Sequence, residues 1–229
     1  MFKKLNNIGD CGIVCDFGDE VNREINTGVI KLFHHVKKEV FQGNLKGILN
    51  YTPSYNKLII NFDLGEVKSK EVMEFIKKSD YSTIDLSQNN KVVEVPICYD
   101  EEFALDIKRL EKKIKLSFKE IVNEHLNTEL FVYMIGFIPG HPFMGDLKKR
   151  MQTDRLETPR VKLPKGSVGI VEKFCNIYTF ESPGGWNIIG KTPLYLFDIN
   201  KKNVSMLSPG DTVKFKSITK KDLSSFKNE

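Results

Sequence analysis

The sequence predicts an α+β protein in two parts, a small ferredoxin-like sandwich followed by a β-barrel or sandwich. Three observations carry this. Strand and helix patterns alternate over residues 1–85, periodicity gives way to polar turn formers at 80–90, and helical stripes stop after Glu129. Beyond that point short β-rich runs follow one another between closely spaced Gly and Pro. The domains are therefore drawn at 1–85 and 86–229, with the linker at 80–90.

Taken in order, residues 11–17 (C-G-I-V-C-D-F) read as a strand with mixed faces. Val21, Ile25, Val29, Leu32, Phe33 and Val36 fall at three- and four-residue intervals and make one helical stripe. Two β-like runs at 47–51 and 57–62 are joined by T-P-S-Y-N, whose Pro and Asn are turn formers. Ser69 is placed to cap a second helix carrying Val72, Phe75 and Ile76. The resulting β-α-β-β-α order is what points to a ferredoxin-like sandwich.

Residues 91–99 (K-V-V-E-V-P-I-C-Y) alternate as a strand, and Ile107, Leu110 and Ile114 mark a helix. Ser117-Phe-Lys-Glu120 fits a capping box, so a separate short helix with Ile121, Val122 and Leu126 starts there. The β-rich runs that follow are 130–137, 167–171, 177–180, 194–197 and 212–218.

Composition narrows the function classes. Of 229 residues, 40% are apolar and 28% charged, with 16 Phe and 7 Tyr, enough to build cores and to exclude wholesale disorder. No apolar run approaches the roughly 20 residues that cross a bilayer, and no apolar segment follows the N-terminal lysines as in a signal peptide. A cytoplasmic protein without membrane contact is expected. The charge of +5 comes from lysines that mostly sit beside acids, as in K-R-L-E-K-K at 108–113, so solvated helix faces explain it and nucleic acid is not expected as a partner. Cys11 and Cys15 are spaced as neither a zinc knuckle nor a redox pair, so with Cys98 and Cys175 they read as small buried thiols and no metal is expected.

The chemistry concentrates between residues 136 and 192. G-F-I-P-G-H-P-F-M-G (136–145), T-P-R (158–160), L-P-K-G-S-V-G-I (163–170) and E-S-P-G-G-W-N-I-I-G-K-T-P (181–193) each mix Gly and Pro with a polar or aromatic side chain. Such loops hold backbone amides and carbonyls in fixed directions, a way to bind small polar ligands or oxyanions; tight barrel corners have the same composition. Residues 185–192 match the phosphate-binding pattern G-x-x-x-x-G-K-T, but Pro193 and the strand-like run after it argue against a helix opening there. His34, His35 and His125 read as surface or capping residues, whereas His141, between Gly140 and Pro142, is a candidate proton carrier or ligand contact. Ser182 is either a nucleophile or a turn hydroxyl bonding nearby backbone. Asp146 and Glu181 would suit an acid–base pair, although spacing does not bring them together. Arg160 is the candidate anion clamp, with a structural ion pair as the alternative.

On these segments, together with I-Y (177–178), L-F-D (196–198), S-P-G-D (208–211) and, more loosely, residues 9–19 and 95–99, the sequence resembles the first subunit of the allophanate hydrolase-like proteins. That family includes the B subunit of bacterial ATP-dependent 5-oxoprolinase and an inhibitor of a sporulation histidine kinase. Where the family usually has P-G-F-P-Y this chain has P-G-H-P-F (139–143), and where it usually has Thr-Gly this chain has Cys175-Asn176, read as an altered turn.

The resemblance implies a ferredoxin-like N-terminal domain, a cyclophilin-like C-terminal β-barrel, and work beside a larger homologous subunit and a third subunit. It implies ATP as co-substrate, held either by this chain or by another subunit, and 5-oxoproline as the small-molecule substrate. Loops Gly136, Phe137, Pro139 and Gly140 and Pro183, Gly184 and Gly185 would line the site, Trp186 would form an apolar wall, and His141, Arg160 and Ser182 would be the catalytic candidates. The alternatives are a sensor-kinase inhibitor and a subunit of an allophanate hydrolase- or urea carboxylase-like enzyme.

Overall fold

The computed structural model describes residues 1–86 and 90–226, and its contacts divide the chain into two units, Met1–Asn89 and Asn90–Glu229. Residues 87–89 of the expected linker lie outside the described residues.

In the first unit β1 (Lys4–Ile8), β2 (Gly12–Asp16), α1 (Arg23–Phe41), β3 (Ile48–Pro53), β4 (Lys57–Phe62) and α2 (Ser69–Lys78) follow in sequence. The expected β-α-β-β-α order is present with one further strand before it. β1 escaped the pattern because its K-L-N-N-I side chains are nearly all exposed, so no apolar alternation marks it. The sheet runs β1-β2-β4-β3, antiparallel throughout. Val29, Leu32 and Val36 of α1 bury with Leu58, Ile60 and Phe62 of β4 in one core. α1 begins two residues later than the stripe, because the Asn22 side chain accepts from the Ile25 amide at 2.9 Å and caps it. Ser69 is the first helical residue of α2 rather than its cap; its hydroxyl donates to Asn7 instead. Cys11 is exposed, against the expectation of four buried thiols; Cys15, Cys98 and Cys175 are buried.

The second unit contains β5 (Val92–Ile97), α3 (Ile107–Ile114), α4 (Phe118–Leu126), β6 (Leu130–Ile135), β7 (Pro142–Gly145), β8 (Arg160–Leu163), β9 (Ser167–Val171), β10 (Phe174–Ile177), β11 (Ser182–Gly184), β12 (Asn187–Lys191), β13 (Thr212–Ser217) and α5 (Lys220–Ser225). Seven strands form a sheet in the order β12-β9-β10-β7-β6-β13-β5, antiparallel except for β13 with β5. Cys98, just past β5, exchanges both backbone hydrogen bonds with Lys191 of β12 at 2.8 and 2.9 Å, so the two edges meet and the sheet is nearly closed. Gly190 permits this approach, since a Cβ there would lie 2.7 Å from the Cys98 carbonyl oxygen. Val132, Met144, Val168, Ile170, Cys175, Ile177 and Ile189 fill the interior. β8 and β11 form a separate two-stranded pair.

α4 starts as expected, with the Ser117 amide donating to Glu120 at 2.8 Å. The run at 177–180 is displaced, the strand being β10, and 194–197 makes only one bridge, Phe197 to Ser205. Besides the expected β9, four strands outside the expected β-rich runs, β7, β8, β11 and β12, fall in or beside the Gly- and Pro-rich segments. His125 is a correction: it is fully buried, its Nδ1 2.7 Å from the Tyr99 hydroxyl and its Nε2 3.5 Å from Cys175 Sγ. Burial holds its pKa down to about 3. No helix among the described residues is long and apolar enough to cross a membrane, and none of their His, Cys, Asp and Glu side chains gather as a metal site.

Candidate functional site

Side chains alternate across β10, and this alternation builds the site. Cys175 and Ile177 point into the barrel core, while Asn176 and the following Tyr178 line a cleft on the other face. The strand partners of Asn176 are Gly169 on β9 and Phe143 on β7. The loop before β7 and the β8–β11 pair complete a cleft of about 280 Å³. Phe137, His141, Phe143, Arg155, Pro159, Asn176, Tyr178 and Pro183 to Trp186 line it.

Three aromatic rings surround His141: Phe137 at 5.5 Å, Phe143 at 5.1 Å and Tyr178 at 5.2 Å between centroids. Trp186 meets Phe143 edge-on at 6.0 Å. The loop carrying Phe137 is pinned from both ends, by Gly136 N–H to the His141 carbonyl at 3.0 Å and by the Thr179 hydroxyl to the Pro139 carbonyl at 2.8 Å. Phe137 has φ +70° and is 65% exposed. A bulky residue in the left-handed region is held there against strain, a feature that clusters at ligand sites.

His141 is 1% exposed. The Asn176 side-chain amide donates to its Nε2 at 3.1 Å, which places the ring proton on Nδ1. His141 Nδ1 and Asn176 Oδ1 are both buried without a hydrogen-bond partner. Burial lowers the His141 pKa to about 4, so at neutral pH it is an uncharged polar group and not a cation. Room for this pair comes from Gly169: a Cβ there would lie 2.9 Å from both Asn176 Oδ1 and Trp186 Cβ. The Cys175-Asn176 dipeptide is thus strand, not the altered turn expected, and the two departures at 141 and 176 meet each other.

Arg160 is committed elsewhere. Its guanidinium grips Asp106 in two-pronged fashion at 3.0 and 2.6 Å, and Asp106 also accepts from the Ile188 amide at 2.7 Å. Of the alternatives open in the sequence, the ion pair is the one formed, and Arg160 does not line the cleft. Arg155 does, packed beside Gly185, and among the described residues no carboxylate pairs with it. Phe137, Pro183, Gly184, Gly185 and Trp186 meet at the cleft with His141; Gly136, Pro139 and Gly140 belong to the loop behind Phe137, with Gly140 against Phe197. Ser182 lies opposite Leu163 on β11, off the cleft lining, with its hydroxyl buried and unpartnered. Asp146 accepts from the Tyr133 hydroxyl at 2.8 Å and Glu181 pairs with Lys162 at 2.9 Å, so they are not an acid–base couple. The G-x-x-x-x-G-K-T run is β12, paired with β9, and opens no helix. Sequence reasoning passed over Arg155 and Gly169. Arg155 sits in a polar stretch with no pattern to mark it, while Gly169 lay within the segment 163–170 without being singled out.

The family model of the carboxyltransferase domain, subdomains C and D, matches residues 3–207. The B subunit of 5-oxoprolinase from Bacillus subtilis (strain 168) is 34% identical over 237 aligned residues, covering 99% of this chain and 97% of that protein. Urea amidolyase of Saccharomyces cerevisiae is 24% identical across 94% of this chain, which spans 13% of the yeast protein. Among solved structures, a conserved uncharacterized protein from Pyrococcus horikoshii aligns over 96% of this chain and 100% of its own, with 35% identity and a TM-score of 0.57.

Proposed function

Because the chain belongs to the carboxyltransferase-domain family, subdomains C and D, we propose that it is a subunit of an ATP-dependent 5-oxoprolinase, with the aromatic cleft as its substrate site. The overall reaction takes 5-oxo-L-proline, ATP and two molecules of water to L-glutamate, ADP and phosphate, one water opening the lactam and the other accounting for cleavage of the terminal phosphoryl group. The observation that carries this reading is the cleft of about 280 Å³ beside β10, present in a chain that matches an oxoprolinase subunit almost end to end. Its size, below the roughly 300–1,000 Å³ of sites for drug-sized ligands, suits a compact one-ring ligand.

An unstrained lactam resists water, so the site must position the ring, exclude bulk solvent and stabilise charge developing on the amide oxygen. Phe137, Phe143, Tyr178 and Trp186 supply walls that displace water from the ring faces. The uncharged His141–Asn176 pair supplies a polar floor that does not compete with a charged substrate. Residues of this chain do not fit a nucleotide: the one phosphate-loop pattern is β12, and its Lys191 is in the strand that closes the barrel. ATP is therefore assigned to another subunit, in keeping with a larger homologous subunit and a third subunit as partners, and the chain alone should be inactive. The ββαββα unit is read as a ferredoxin-like sheet whose outer strand comes from the N-terminus, and the nearly closed sheet as the cyclophilin-like barrel.

The test is reconstitution. The chain co-purified with the larger and third subunits should form glutamate from 5-oxoproline only with ATP, and omission of this chain should abolish it. A complete complex that forms no glutamate would overturn the reading. If that complex instead turned over a carboxylated urea, the similarity to urea amidolyase would become the guide.

A further inference from the structure

Within the residues that line the cleft, one side chain is charged. Phe137, Phe143, Tyr178 and Trp186 are aromatic, His141 is held neutral, and no carboxylate is present, which leaves Arg155. The other nearby arginine is unavailable, both prongs of Arg160 being occupied by Asp106. An aromatic enclosure on its own would suit an organic cation, but a guanidinium at its mouth repels one. A guanidinium presents parallel N–H donors spaced for the two oxygens of a carboxylate.

We propose that Arg155 clamps the carboxylate of the small cyclic acid whose ring occupies the aromatic cleft, and so selects an acid over its neutral isostere. The inference rests on the oxoprolinase reading and adds to it the residue that reads charge. Arg155 acts here as a binding and specificity residue, and its guanidinium touches the carboxylate, not the amide that reacts.

Trp186 is the one tryptophan of the sequence and lies in the cleft lining, so the intrinsic fluorescence of the full chain reports cleft occupancy directly. The experiment titrates the chain with 5-oxo-L-proline and with 5-oxo-L-prolinamide, which keeps the ring and replaces the carboxylate by an amide. The native chain is expected to bind the acid about 10- to 100-fold more tightly than the amide, the range of charge-assisted hydrogen bonds. In Arg155→Gln that preference should fall to within about threefold by loss of acid binding alone, with amide binding unchanged. Arg155→Lys should recover part of it, because the charge remains while the two-pronged geometry is lost.

A preference for the acid that survives Arg155→Gln would overturn the clamp while leaving the cleft and the oxoprolinase reading in place. A native chain whose fluorescence responds to neither compound, in a complex that still turns over 5-oxoproline, would remove the clamp and the cleft together and leave the subunit role standing. Failure of both measurements would remove the function as well.

Discussion

Cys175 and Asn176 are consecutive residues of β10, yet one lies against His125 inside the barrel and the other against His141 under the cleft. Both histidines are buried and both are held uncharged by that burial, His125 at about 3 and His141 at about 4. What separates them is satisfaction of their polar atoms. Inside, each His125 ring nitrogen has a neighbour, Tyr99 on one side and Cys175 on the other. On the cleft face, His141 Nδ1 and Asn176 Oδ1 have none. An unmet buried polar group costs about 1–3 kcal/mol. A core that has satisfied its polar groups is structural, whereas a pair that leaves two unmet beside a cleft is arranged for something that arrives later.

If this contrast is right, the two histidines should respond oppositely to mutation. His125→Ala opens a cavity among Tyr99, Phe215 and Cys175 and strands the Tyr99 hydroxyl, so about 4 kcal/mol of stability should be lost in urea denaturation. His141→Phe leaves the Asn176 amide without its acceptor but also removes an unpartnered nitrogen and opens no cavity, so it should cost only about 1–2 kcal/mol. Its effect should appear in ligand binding. Equal losses of stability from the two variants would erase the distinction between the faces.

A smaller effect follows from protonation. Each imidazole is neutral in the folded chain and titrates at its ordinary value near 6.5 when unfolded. Below that pH the unfolded chain binds more protons, so stability is complete above about 6.5 and falls as pH drops, toward about 4 for His141 and about 3 for His125. The charged and titratable groups facing His141 in the cleft are Arg155 and Tyr178, and burial pushes the Tyr178 hydroxyl further up, away from that window. Urea midpoints at about pH 7 and about pH 4.5 should therefore differ less in His141→Phe than in the native chain. An unchanged difference would mean that His141 is already solvated in the folded state.

The two faces also differ in how far they could be read from sequence. Interior positions of β9 and β13 announce themselves through Val, Ile and Phe in alternation. The cleft does not, because its strands β7, β8 and β11 are only three or four residues long, and β7 and β11 are built from Pro and Gly. Such segments read equally as loops. Loop composition pointed to Phe137, His141, Gly184, Gly185 and Trp186, since Gly, Pro and lone aromatics leave a signature. The exchange of Arg160 for Arg155 could not be read, as it depends on Asp106 lying 54 residues away in sequence from Arg160. His125 was misplaced for a related reason: a helix end looks exposed until the strand carrying Cys175 is laid against it.

Ser182 sets the lower limit of the contrast. It begins β11, opposite Leu163, and its hydroxyl is buried with no partner. A serine nucleophile needs a base within hydrogen-bonding reach. The imidazole of the cleft has its acceptor nitrogen occupied by Asn176 and is too weak a base, at about 4, to draw that proton at neutral pH. The hydroxyl is then only an unmet polar group, and its removal relieves a desolvation cost while leaving a very small void. Ser182→Ala should accordingly be neutral or stabilising by less than about 1 kcal/mol, with turnover by the assembled complex unchanged. A turnover loss of about a thousandfold or more at unchanged stability would instead return Ser182 to the chemistry, and would require the β11 segment to move when the subunits assemble.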